Sequence, residues 1–149
     1  MQGIFHTGIT VSDLDRSIPF YRDVLGLKLV TGPTDVFEGD DVSRGVGVPG
    51  ARLRLAIFQV GDGSLEILQY FSPKSAVDKA MPPNTLGVAH VAFHVSKAKE
   101  KMKELKAKGV KFLSELNVEE EGPLAGWKWV YFKDPDGISL ELIEYNPPL

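Results

Sequence analysis

Leu65-Glu66-Ile67-Leu68-Gln69-Tyr70 and Leu140-Glu141-Leu142-Ile143-Glu144-Tyr145 are nearly the same sequence, 75 residues apart. Each sets a glutamate inside a short apolar run of the kind that forms a strand. Each follows a turn signal, Gly61-Asp62-Gly63 in the first case and Asp134-Pro135-Asp136-Gly137 in the second. Each turn in turn follows an apolar, strand-like run, residues 53–60 and residues 127–132. A second echo lies upstream: His6-Thr7-Gly8-Ile9-Thr10-Val11-Ser12 resembles His90-Val91-Ala92-Phe93-His94-Val95-Ser96, at an offset of 84. Self-similarity of this kind marks two copies of one supersecondary unit.

Working outward, each half has the same order of elements. A strand (residues 4–11, then 88–95) ends at a serine that can cap a following helix, Ser12 or Ser96, with Asp15 in the first turn of the first helix. Ile18, Tyr21, Val24 and Leu25 recur at helical spacing before Gly26, and Ala98, Met102 and Leu105 do so before Gly109. The unequal offsets place a longer loop near residues 31–52, where Gly32, Pro33, Gly39, Gly45, Gly47, Pro49 and Gly50 predict a loop or irregular edge. The expected architecture is α+β, with one domain over residues 1–149. It consists of two βαβββ modules, about 1–71 and 87–146, joined by a Pro- and Ser-rich linker, 72–86. Within that linker, Ser75 to Met81 could make a helical turn.

The composition bounds the function. Of 149 residues, 43% are apolar and 25% charged, the balance of a folded globular protein with a sizeable core. There is no cysteine, so a metal site must use His, Asp and Glu, and a reducing cytoplasmic location fits. The net charge of −3 speaks against nucleic acid as a partner. Lysines between Lys97 and Lys111 are interrupted by Glu100 and Glu104 at helical spacing, as on a solvated helix face. No window approaches the roughly 18 consecutive apolar residues of a membrane span, and no signal peptide is read at the N-terminus.

The repeat also points to a site. Side chains alternate along a strand. His6, Gly8 and Thr10 therefore share one face, and His90, Ala92 and His94 share the matching one. The opposite faces, Phe5 with Ile9 and Val11, and Val91 with Phe93 and Val95, suit packing under the helices. Glu66 and Glu141 stand in apolar strands, where a carboxylate is costly unless paired or coordinated. One His and one Glu from each half make a set of two imidazoles and two carboxylates. That set suits one divalent ion, Ni, Co, Zn, Mn or Fe.

These motifs resemble the vicinal oxygen chelate superfamily, which includes glyoxalase I (lactoylglutathione lyase), methylmalonyl-CoA epimerase, extradiol dioxygenases, and fosfomycin- and bleomycin-resistance proteins. The resemblance covers nearly the whole chain. It rests on His6-Thr7 with Val11-Ser12-Asp13-Leu14-Asp15-Arg16-Ser17, on Phe20-Tyr21-Arg22-Asp23-Val24-Leu25-Gly26-Leu27-Lys28-Leu29, and on Phe132-Lys133-Asp134-Pro135-Asp136-Gly137 leading into Leu140-Glu141-Leu142. It implies two βαβββ modules forming a cupped mixed sheet around a metal held by His6, Glu66, His90 and Glu141. The nearest members are the glyoxalase I-like and methylmalonyl-CoA epimerase-like ones. The implied activity is that of a lyase or isomerase: proton transfer alpha to a carbonyl through a metal-stabilised enediolate, with Glu66 and Glu141 as the catalytic carboxylates. The alternatives are an epimerase, an Fe(II) extradiol-type dioxygenase, or a non-catalytic drug-binding resistance protein. The family also implies a small-molecule substrate and a homodimer.

Thr10 stands where glyoxalase I carries an arginine, and Tyr70 where it carries an asparagine. With His94 and Trp129 they are the expected substrate contacts. Trp127 shares the parity of Trp129 and reads as strand packing or cavity wall. Glu119-Glu120-Glu121-Gly122 reads as a solvated loop, Asp134 to Gly137 as a turn rather than a metal loop, and Arg52 and Arg54 as solvated or interface arginines that could also meet an anionic substrate.

Overall fold

The computed structural model describes residues 1–145. Residues 146–149, which include the last residue of the second expected module, lie outside the described residues. The chain forms two compact units, Met1–Lys79 and Ala80–Leu149.

The first unit holds β1 (His6–Thr10), α1 (Leu14–Pro19), β2 (Lys28–Thr31), β3 (Phe37–Glu38), α2 (Asp40–Val46), β4 (Arg52–Val60) and β5 (Gly63–Ser72). Its sheet runs β1-β5-β4-β2, with β3 pairing on β4. β1 lies parallel to β5, and the other pairings are antiparallel. The second unit holds β6 (Val91–His94), α3 (Ala98–Ala107), β7 (Asn117–Val118), β8 (Lys128–Lys133) and β9 (Ser139–Glu144), in the order β6-β9-β8-β7. β6 is parallel to β9, again with antiparallel partners beyond. The fold is therefore α+β, and each unit sets a parallel outer strand beside a hairpin.

Alternation explains the layering. Leu65 and Ile67 are fully buried with Phe58, Leu14, Ile18 and Tyr21. Leu140 and Leu142 are buried with Val130, Phe132, Met102 and Leu105. Glu66 and Glu141 point to the other face by the period of two. Phe5 departs from its expected place on the apolar face: it is 81% exposed, outside β1, with its ring edge-on to His6.

Both helix starts differ from the serine caps read in the sequence. α1 is capped by Asp13, whose carboxylate accepts from the Asp15 N–H at 2.9 Å. Lys97 precedes α3 and supplies no side-chain cap. The sheet supplies a further acceptor to α1 and the side-chain cap of α3. Gln69 Oε1 accepts from the Leu14 N–H at 3.1 Å, and Glu144 Oε2 accepts from the Ala98 N–H at 2.6 Å. These two residues are themselves repeat partners, each three places after its strand glutamate. A cross-strand cation braces each: Arg54 donates to Gln69, and Lys128 to Glu144 at 2.6 Å.

After Pro19, which lacks the N–H of a regular helical bond, the first helix continues as a π-helical turn over Phe20–Val24 and ends before Gly26 at φ +80°. The expected loop at 31–52 contains β3 and the short α2, framed by Gly39 and by Gly47 at φ +69°. Gly32 is required for space. A Cβ there would stand 2.5 Å from the Leu55 carbonyl oxygen, at a φ of +99° that already favours glycine. Residues 73–90 contain no helix or strand, and the possible helical turn at residues 75–81 does not form.

Candidate functional site

In the first unit, the parallel register sets Gly8 beside Glu66. His6 lies two residues back on the same face, and its Nε2 is 3.6 Å from Glu66 Oε2. Glycine at position 8 leaves room, since a Cβ there would sit 3.4 Å from that same carboxylate oxygen. In the second unit, Ala92 is beside Glu141. His90, one residue before β6, brings Nε2 to 3.1 Å from Glu141 Oε2. Both histidines are more than two-fifths exposed, whereas the Glu66 and Glu141 side chains are 15% and 9% exposed. Each half thus repeats one device: a solvent-facing imidazole against a largely buried carboxylate.

The spacing fits metal ligation. Two atoms bound about 2.0–2.2 Å from one ion stand about 3.0–3.5 Å apart at ordinary coordination angles, close to the two separations here. Each unit offers two such donors. Among the described residues no group of three or more His, Asp or Glu side chains is gathered at one point.

The expected substrate contacts fall on the same sheet faces. Thr10 is exposed on β1 opposite Leu68, and Tyr70 is half-buried on β5, two residues past Leu68. His94 packs on the Tyr145 ring at 4.5 Å, and Tyr145 packs on Trp127 at 5.4 Å. Trp129 stands edge-on to Tyr131 at 5.8 Å and donates its indole N–H to Glu119 at 2.7 Å. Glu119 is therefore more than part of a solvated loop, because it fixes the tryptophan. Arg52 pairs with Glu38, and Arg54 with Asp15 at 2.9 Å, which places Arg54 on the helix side of the sheet. Asp134 forms the expected turn, its buried carboxylate accepting from the N–H groups of Asp136 and Ile138.

Tyr131 is a site residue that the sequence reading passed over. It lies directly across from Glu141 in the β8–β9 hairpin, and its hydroxyl is 3.1 Å from His90 Nε2. Burial first, and then the charge and hydrogen bond of Glu141, hold its hydroxyl above the ordinary tyrosine value. Its signal was the alternation Trp127, Trp129, Tyr131, which puts a third aromatic ring on the glutamate's face.

The two units therefore repeat one arrangement, a His and a Glu on equivalent strands. The chain belongs to the Glyoxalase/Bleomycin resistance protein/Dioxygenase superfamily, whose family model matches residues 3–142. It is 33% identical to a 2-epi-5-epi-valiolone epimerase from Actinomyces, over 94% of this chain and 78% of that protein. It is 30% identical to the lactoylglutathione lyase of Escherichia coli O157:H7, over 95% and 91%. Among solved structures, a glyoxalase family protein from Bacillus cereus shares the fold at a TM-score of 0.76, with 24% identity and 97% and 94% of the two chains covered. Among the described residues no helix is long and apolar enough to cross a membrane.

Proposed function

We propose that this protein is a divalent-metal-dependent enzyme of the glyoxalase I and epimerase type, moving a proton at the carbon alpha to a carbonyl. The observation that carries the reading is the duplicated His–Glu pair, 3.6 Å in one unit and 3.1 Å in the other, at equivalent registers. His6, Glu66, His90 and Glu141 hold the ion, with the two units supplied by one chain or by two copies of a cytoplasmic homodimer. When bound, the ion polarises the carbonyl and stabilises the negative charge that develops as the α-proton leaves. Glu66 and Glu141 supply the base and its conjugate acid, since carboxylates in strands with little solvent can exchange a proton with a substrate held within hydrogen-bond reach. Thr10, Tyr70, His94 and Trp129 line the faces around them and orient the substrate.

Thr10 and Tyr70 replace the arginine and asparagine of glyoxalase I, which favours epimerisation over glutathione-adduct chemistry. The 33% relationship to a protein named an epimerase supports the same choice. The test is solvent deuterium exchange with metal-reconstituted protein and three candidate substrates: 2-epi-5-epi-valiolone, methylmalonyl-CoA and a methylglyoxal–thiol adduct. Deuterium should enter the α-carbon of one of them and cease in Glu66→Gln or Glu141→Gln. Oxygen uptake with a catechol and Fe(II), in the absence of exchange, would replace this reading with dioxygenase chemistry.

A further inference from the structure

The repeat is not symmetric where it matters chemically. The residue directly across the hairpin from Glu66 is Ile57, and the one across from Glu141 is Tyr131. Glu66 therefore faces an aliphatic side chain, and its one ion-pair partner among the described residues is His6 at 3.6 Å. Glu141 faces a phenol, and both the Tyr131 hydroxyl and Glu141 Oε2 lie 3.1 Å from His90 Nε2. Tyr131 is in turn held on both sides, edge-on to Trp129 and at 5.1 Å from the His90 ring. Trp129 is itself tied to Glu119. A chain of packed aromatic groups thus ends beside one carboxylate of the pair, and the residue across from the other is aliphatic.

We infer that Tyr131 is a positioning residue that anchors the Glu141 carboxylate, making it the fixed member of the pair and leaving Glu66 as the member free to move. The inference rests on the proposed metal site. A hydrogen bond to a ligating carboxylate sets its orientation, and loss of such an outer partner usually weakens metal binding about 10- to 100-fold. If a metal takes the His90 Nε2 lone pair, the Tyr131 hydroxyl is left with Glu141, directly across the hairpin, as its acceptor, and the anchor forms in the loaded protein. Glu66, with no hydroxyl opposite, can swing away from its ligand position with no such bond to break.

The test uses Co(II) alone as probe, titrated into metal-free full-length protein by calorimetry and followed by the visible absorption of the bound ion. Tyr131→Phe should weaken Co(II) binding about 10-fold and change the absorption, while thermal melts of the metal-free variant check that its fold is intact. The decisive measurement is a pair of double variants. The cost of Tyr131→Phe should persist in a Glu66→Gln background and vanish in a Glu141→Gln background, because the phenol acts through Glu141. An equal cost in both backgrounds, or wild-type affinity in Tyr131→Phe, overturns the inference and leaves the metal site standing. Wild-type protein that takes up no Co(II) overturns the metal reading itself and this inference with it.

Discussion

Glu144 ties three elements together, and its removal tests that arrangement. Its carboxylate accepts from the first N–H of α3 at 2.6 Å and from Lys128 on the neighbouring strand at 2.6 Å, with the side chain one-fifth exposed. Loss of a helix cap costs about 0.5–2 kcal/mol, and a partly exposed ion pair contributes about 0.2–1 kcal/mol. Glu144→Ala should therefore destabilise the protein by about 2 kcal/mol, or about 4–8 °C for a chain of this size. Glu144→Gln should cost about 0.5–1 kcal/mol, since an amide can still cap the helix as Gln69 does in the other unit but loses the charge. The hydrogen bond from Lys128 first, and that from the Ala98 N–H second, hold the Glu144 carboxyl below its ordinary value of 4.5. A depressed value in the folded state gives stability that is complete above the unfolded value and lost as pH falls through the folded one. The gap between wild type and Glu144→Gln should be constant at neutral pH and close on acidification below about 4.5. Urea unfolding of metal-free protein, read by tryptophan fluorescence at neutral and acidic pH, measures both. A Glu144→Ala variant as stable as wild type at neutral pH, or a gap that widens in acid, would refute the cap.

Three further outcomes are expected. Gly32→Ala should destabilise the first unit by more than about 2 kcal/mol, because the new methyl meets the Leu55 carbonyl at a left-handed φ, and thermal melting reads the loss. Ni, Co, Zn, Mn or Fe at a hundred times its dissociation constant should stabilise the wild-type protein by about 2.7 kcal/mol. That gain should be absent in Glu141→Ala when both are measured by thermal shift. Sedimentation at micromolar concentration should give a homodimer, and a single 16.4 kDa species would count against it.

The pattern of residues already carried the repeat, the α+β class and the strand faces on which the His and Glu side chains stand. Each depends on local periodicity: a strand sorts Leu65 from Glu66, and Leu140 from Glu141, whatever the partner strand is. The helix stripes and the glycines that stop them were legible for the same reason. The caps were not. A serine next to a helix is the nearest candidate in sequence, yet α3 is capped by Glu144, 46 residues beyond Ala98. Such a bond exists only after β9 has paired beside β6. Helix α2 was hidden because its seven residues bury no side chain and so leave no apolar stripe to read. Tyr131 shares the alternation of Trp127 and Trp129, but nothing within its own strand says that Glu141, ten positions away, lies directly across from it. Only the hairpin register sets the phenol across from Glu141 and an isoleucine across from Glu66. Periodicity is a property of the chain, whereas register is decided by packing, and it was register that made the two halves of the repeat unequal.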